Sequence, residues 1–235
     1  MPIELFDIDK GYTVFSKSDY KTSRHAHYAI EVVCCTEGAF NITTGYSKYT
    51  NIHSVIIPSN LPHRFSCAHA ECDLLFADPL SAIGKYFMQQ YKLAAQNDVI
   101  VCPPGINKLY KNGSFDISLM LKNAETIGNS GIDSRILTCI RAIDSHATDY
   151  NMTLSQLSKI SFLSESRLSH LFKEQLGISV HQYILWKKIL LAVSRSRQGY
   201  SLTASAHYAG FSDSSHFHKV FYKMFGIYPF FVLKT

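Results

Sequence analysis

The chain has 235 residues, of which 46% are apolar and 17% charged, enough to bury one or two cores and too ordinary for a disordered, collagenous or disulfide-stapled protein. No stretch approaches the roughly 18 uncharged apolar residues of a membrane span. The opening MPIELFDIDK carries acidic residues and no apolar core, so no secretory signal is read there, and a cytoplasmic protein without a membrane partner is expected. Residues 1–130 hold 11 Lys+Arg against 12 Asp+Glu, a net of −1, whereas residues 131–235 hold 12 against 6, a net of +6; together these give the chain's +5. The second part is the one suited to a polyanion. The six cysteines (34, 35, 67, 72, 102 and 139) follow no CxxC or zinc-finger spacing and read as small buried hydrophobes.

Up to about residue 77, short runs rich in β-branched and aromatic residues alternate with turns. Tyr12–Ser16, Ile30–Thr36, Ala39–Thr43 and Ser54–Ile57 predict strands of a small antiparallel sandwich or barrel. From Leu80 to Ala95, Ile83, Tyr86, Phe87, Tyr91 and Ala94 recur at helical spacing, and Phe115–Glu125 predicts a second helix. Asn129-Ser130-Gly131 reads as a linker between a first domain, 1–128, and a second, 129–235.

Beyond the linker every element reads as a helix. Asp133 or Ser134 starts one running to about Tyr150, and Thr153 starts the next, with Leu154, Leu157 and Ile160 inward. Ser164 caps Glu165–Leu176, which Gly177 ends. Ser179 opens a long helix through Arg197. Ser201 opens a short one to Tyr208, and Ser212 or Asp213 caps the last, to Phe225, ended by Gly226, with Pro229 opening a final turn. Leu168, Phe172 and Gly177 pair with Phe217, Phe221 and Gly226 at one offset of 49 residues, so the plan of short helix, turn and capped helix occurs twice.

That plan is a helix-turn-helix, in which the second helix is short and amphipathic and presents residues to base edges. The outward face of Glu165–Leu176 carries Ser166, Arg167, Ser169, His170 and Lys173; that of Asp213–Phe225 carries Ser214, Ser215, His218, Lys219 and Lys223. Ser and His hydrogen-bond bases or phosphates, Lys attracts phosphate, and Arg reads guanine. Ordinary amphipathic helices would share the pattern, but not its repetition on the basic half. The stretches TLSQLSKISFLSESRLSHLFKEQLGISVHQYI and SLTASAHYAGFSDSSHFHKVFYKMFGIYP, above all Gly210-Phe211, Ser215-His216-Phe217, Phe221, Phe225-Gly226 and Pro229, resemble the AraC/XylS family of bacterial regulators. The resemblance implies a regulator rather than an enzyme, with both second helices in DNA major grooves. It also implies double-stranded promoter DNA, RNA polymerase, a small-molecule effector and a homodimer as partners, the helix at Leu80–Ala95 being where relatives dimerise unless it packs on its own barrel. Activation is the commoner output there. Ser169-His170 depart from the Gln, Arg or Lys of many relatives.

In the first domain, His25-Ala26-His27 followed by Glu31 and Gly38, with Pro58 to His63 further on, resembles the cupin barrel motifs. Metal-binding cupins hold a divalent ion with three His and one Glu, here His25, His27, Glu31 and His63, a donor set that suits zinc, nickel, iron or manganese. Asn60 stands where Gly is usual, and Cys67 where Asn is common. A bound metal, an organic effector in the barrel and a purely structural histidine cluster all remain open. The expected fold class is therefore α+β: an N-terminal cupin-like β-barrel with following helices, then an all-α tandem helix-turn-helix domain. The competing reading is a metal-dependent cupin enzyme, an oxygenase or isomerase, with a helical appendage.

Overall fold

The computed structural model describes residues 3–7, 10–127, 131–145, 152–226 and 228–229. The chain divides into two compact units, one of Met1–Asn129 with Phe221–Lys234, the other of Ser130–Val220 with Thr235. The expected boundary at 128–130 and the expected end of the first C-terminal helix near Tyr150 lie outside the described residues.

The first unit is built on strands β1 (Ile3–Asp7), β2 (Tyr12–Lys21), β3 (Ile30–Glu37), β4 (Phe40–Thr44), β5 (Lys48–Ile52), β6 (Ser54–Ile57) and β7 (His63–Ala77). They are followed by α1 (Ala82–Gln90), β8 (Ile100–Val101), α2 (Ile106–Leu109), β9 (Tyr110–Lys111), β10 (Ser114–Phe115) and α3 (Ile117–Glu125). Eight strands form one antiparallel sheet in the order β1-β2-β7-β3-β6-β8, with β4 joining β7 to β5; β9 and β10 form a separate ribbon. The 15-residue β7 is shared: residues 71–77 pair with β3, residues 63–66 with β4, and β2 runs along its other edge. Where β7 changes neighbours, Asp19 and His69 both take left-handed backbone, and the Asp19 carboxylate accepts from the His69 amide at 2.8 Å. This bulge bends the sheet into a nearly closed barrel.

Alternate residues of a strand serve opposite faces. Val14, Ile30, Val32, Cys34, Ile56, Leu75 and Ala77 form the outer face, covered by Ile83 and Phe87 of α1 and Met120 of α3, none of the last three with any exposed area. Glu31, Val33, Cys35, Cys72, Leu74 and Phe76 lie on the other face, inside the barrel. The helix expected over Leu80–Ala95 stops at Gln90; Lys92 turns left-handed and Leu93–Ala95 forms a single 3₁₀ turn. Its apolar face is spent on the barrel.

The second unit holds α4 (Ser134–Ser145), α5 (Leu154–Ser161), α6 (Glu165–Leu176), α7 (Val180–Arg197), α8 (Leu202–Tyr208) and α9 (Ser214–Phe225) as far as Val220. Caps fall where the sequence places them. Thr153 and Ser179 each form a reciprocal box with the Gln three residues on, Ser164 accepts from Arg167 N, and Asp213 accepts from His216 N at 2.7 Å. The single offset of 49 needs refinement. It holds for the second helices, but the first helices and their left-handed stops, Phe162 and Gly210, are related by 48. The turn of the second helix-turn-helix therefore has one extra residue.

Candidate functional site

The two second helices expose the expected residues to different degrees. In α6, Leu168, Leu171, Phe172 and Leu176 are buried, while Ser166, Arg167, Ser169, His170 and Lys173 are all exposed. His170 Nδ1 lies 3.6 Å from the Glu174 carboxylate, one turn further along the same face. In α9, Phe217 and Phe221 are buried, Ser215 and Lys219 exposed, and Ser214 half-buried. His218 is also half-buried, and its Nε2 is enclosed without a hydrogen-bond partner, so it presents less polar surface than its place on the helix suggests. Between these motifs, the 18 residues of α7 give about 27 Å of rigid spacer. The Lys188 ammonium donates to the Gly210 carbonyl at 2.8 Å and pins α7 to the second turn. The Arg195 guanidinium stacks on Tyr200, 3.5 Å from its centroid, and on Tyr208 of α8 at 4.6 Å.

Inside the barrel, His25, His27, Glu31 and His63 converge, with one ligand atom from each within 4.8 Å of all the others. His25 and His63 exchange backbone hydrogen bonds of 3.0 and 2.9 Å, so their side chains are cross-strand neighbours, with ring centroids 4.3 Å apart. His27 lies two residues on, with the same parity, and Glu31 sits near the start of β3 on its inner face. Asn60, where cupins favour Gly, adopts the left-handed backbone (φ 62) that Gly would supply, and its amide donates to the His27 carbonyl at 2.7 Å. The departure from the motif therefore preserves the turn. All four side chains are buried, His63 completely.

Each imidazole is oriented in the same way. Nδ1 of His25, His27 and His63 meets the carbonyl of Ser23, Ala29 and Leu61 at 2.9, 2.8 and 2.8 Å. A carbonyl only accepts, so Nδ1 of each ring carries a proton, and Nε2 is the atom that would offer a lone pair to a metal. His27 Nε2 and His63 Nε2 lie 3.0 and 3.2 Å from one oxygen of Glu31. Burial alone would raise the Glu31 carboxyl, but these two imidazoles hold it well below the usual carboxylate range. Burial first, then His63 and His27, pushes His25 down to about 3, so it is neutral. His63 Nε2, fully enclosed, completes no hydrogen bond. Three imidazoles locked by carbonyl contacts with Nε2 turned to the centre, one of these nitrogens being the unpartnered His63 Nε2, and one carboxylate fit a divalent cation, because carbonyl contacts at the other nitrogen are the usual outer support of ligating imidazoles. No sequence signal pointed to the three carbonyls, which become neighbours only when the turns close. The cysteines are not part of this cluster: Cys34, Cys67, Cys72 and Cys139 are buried as expected, whereas Cys35 is half-buried and Cys102 exposed.

A nearly closed barrel with covering helices, and a helical unit that repeats the helix-turn-helix, define a two-part helix-turn-helix protein. Residues 157–234 match the family described as a helix-turn-helix domain. The arabinose operon regulatory protein of Escherichia coli K12 is 34% identical over 119 residues, 47% of this chain and 39% of that protein. The regulatory protein PocR of Salmonella typhimurium LT2 is 29% identical over 108 residues, 46% of this chain and 35% of that protein. The chain thus spans well under half the length of these relatives. Across 94% of both chains it shares the fold of ToxT from Vibrio cholerae, solved with an unsaturated fatty acid bound, at 13% identity and a TM-score of 0.63. Its second part is therefore similar to the helix-turn-helix part of these transcription regulators. No helix among the described residues is long and apolar enough to cross a membrane.

Proposed function

We propose that this chain is a cytoplasmic, sequence-specific regulator of transcription that reads double-stranded DNA through α6 and α9 and senses a divalent metal ion held by His25, His27, Glu31 and His63. The observation that carries the DNA reading is the repeated, capped, outward-facing helix on the half of net charge +6. Ser166, Arg167, Ser169, Lys173, Ser214, Ser215 and Lys219 are the contacts, with His170 and His218 contributing less because of Glu174 and partial enclosure. An α7 of about 27 Å suits reading heads one DNA turn apart, ~34 Å.

Three locked imidazoles and a carboxylate support zinc, nickel, iron or manganese. When bound, the ion supplies positive charge at a buried anion and so favours one conformation of the barrel over others. Coupling to promoter binding follows from a shift of populations, reciprocal between metal and DNA. A homodimer and contact with RNA polymerase, with activation as the output, complete the proposal. The unsaturated fatty acid bound to ToxT supports a second reading, an organic acid as effector.

Elemental analysis with native mass spectrometry of the purified chain decides between these readings. One equivalent of metal, lost on His63→Ala, supports the metal; a bound organic acid supports the second reading; an empty barrel that takes up neither refutes sensing. For DNA, gel shifts on the DNA flanking the gene are expected to weaken steeply with salt. Lys219→Ala is expected to weaken all sequences alike and reduce the salt slope by about 1, while Ser169→Ala alters base preference at particular positions. No shift, together with turnover by metal-loaded protein, would overturn the proposal in favour of an enzyme.

A further inference from the structure

The cysteines read from the sequence as filler, yet the barrel gathers three thiols at one place. Cys35 of β3 and Cys72 of β7 are direct cross-strand partners. Their sulfurs are 2.9 Å apart, inside ordinary sulfur–sulfur contact. Cys67, on the same strand as Cys72, shares a hydrogen bond with it. Direct antiparallel partners have Cα atoms about 4.5–5.5 Å apart, and a disulfide spans about 4.4–6.8 Å, so the backbone need not move for the two to join.

We propose that Cys35 and Cys72 form a peroxide-responsive thiol pair that closes reversibly to a disulfide, a modification site independent of the histidine cluster. Access sets the order of events. Cys35 is half-buried whereas Cys72 is buried, so Cys35 meets the oxidant first. The hydrogen bond from Cys72 also holds the Cys35 thiol below its ordinary value, while bonding to Cys35 and Cys67 pushes Cys72 up.

The Cys35 thiolate attacks one oxygen of a hydroperoxide; the S–O bond forms, the O–O bond breaks, and the departing alkoxide takes a proton to leave as an alcohol, or as water from hydrogen peroxide. Cys72 sulfur then attacks the Cys35 sulfenic acid. The S–S bond forms, the S–O bond breaks, and hydroxide leaves as water with the Cys72 proton. Two thiols are oxidised by two electrons, and one hydroperoxide is reduced. The bond ties β3, which carries Glu31, to β7, which begins at His63, so it stiffens the two strands that hold that cluster.

The test uses the full reduced chain treated with one equivalent of hydrogen peroxide, then alkylated under denaturing conditions and mapped by mass spectrometry. Two fewer alkylated thiols, a Cys35–Cys72 linked peptide and recovery of all six thiols with dithiothreitol are expected. In Cys72→Ala, with folding checked by circular dichroism, dimedone should label Cys35, and Cys102→Ser should leave disulfide formation unchanged. If the wild-type chain keeps six alkylatable thiols, goes only to irreversible acids, or links Cys102 or Cys139 instead, the proposal is overturned. Dimedone labelling at Cys72 in Cys35→Ala, at the rate seen for Cys35 in Cys72→Ala, would overturn the order of attack.

Discussion

The two helix-turn-helix turns solve the same backbone problem with different residues, and exchanging them has opposite consequences. Each first helix stops in a left-handed residue: Phe162 at φ 53 in one motif, Gly210 at φ 74 in the other. An L-residue pays about 1–2 kcal/mol there that glycine does not. The Phe162 ring is 93% exposed, so removing it forfeits almost no burial. Against the relief stands the greater freedom of glycine in the unfolded chain, about 0.4–1 kcal/mol. Phe162→Gly is therefore expected to stabilise the helical unit by roughly 0.5–1 kcal/mol, and Gly210→Ala to destabilise it by about 1 kcal/mol. The single tryptophan, Trp186, is buried in α7 and reports on this unit alone. Urea unfolding followed by its fluorescence gives both values from midpoint shifts at constant m. A loss of stability in Phe162→Gly, or a gain in Gly210→Ala, would refute the account of the turns.

Other outcomes follow from the same geometry. Gly84→Ala, a change that normally stabilises a helix, is expected to cost about 2 kcal/mol or more. Its Cβ would sit 1.9 Å from the Asp78 carbonyl oxygen and 2.8 Å from Pro79 Cα, backbone atoms that cannot step aside, and a lowered thermal midpoint by circular dichroism checks this. Ser179→Ala removes the cap and box at the start of α7 and should cost about 1 kcal/mol by Trp186 fluorescence; no change would mean the box is redundant. Glu31→Gln keeps the shape of the cluster but removes its only carboxylate, so bound zinc should fall by tenfold or more in a competition titration with a chromophoric chelator. For the metal-free protein, His25 lowered to about 3 binds its proton in the unfolded chain near 6.5 but not in the folded one. Stability is then full above pH 6.5 and declines as pH falls toward 3, a slope that His25→Asn should flatten in urea titrations.

Helices of the second unit were legible because local chemistry sets them. Ser, Thr or Asp caps, periods of 3.6 and terminal glycines all act within a few residues, so α6 and α7 begin and end where the caps and glycines place them. The half-sequence charge split and the paired reading helices were legible for the same reason. The extra residue in the second turn was missed because aligning only the second helices hides it.

Strands depend on distant partners, and there the sequence fell short. β1, β5 and the 15-residue β7 were not legible at all. Residues 72–77 of β7 are buried on both faces, inward in the barrel and outward under α1 and α3, so they lack the alternation that marks a strand. The histidine cluster lay between these extremes: a motif and side-chain parity nominated its four members. Only the reciprocal pairing of His25 with His63 brought them together, and only the closing turns supplied the carbonyls that orient them. Residue types and local order alone determined that this is a tandem helix-turn-helix chain carrying a candidate metal-ligand set. Tertiary structure decided which nitrogens face the centre, that His218 is partly enclosed, and that Cys35 meets Cys72. Each of these rests on strands or helices far apart in sequence arriving side by side.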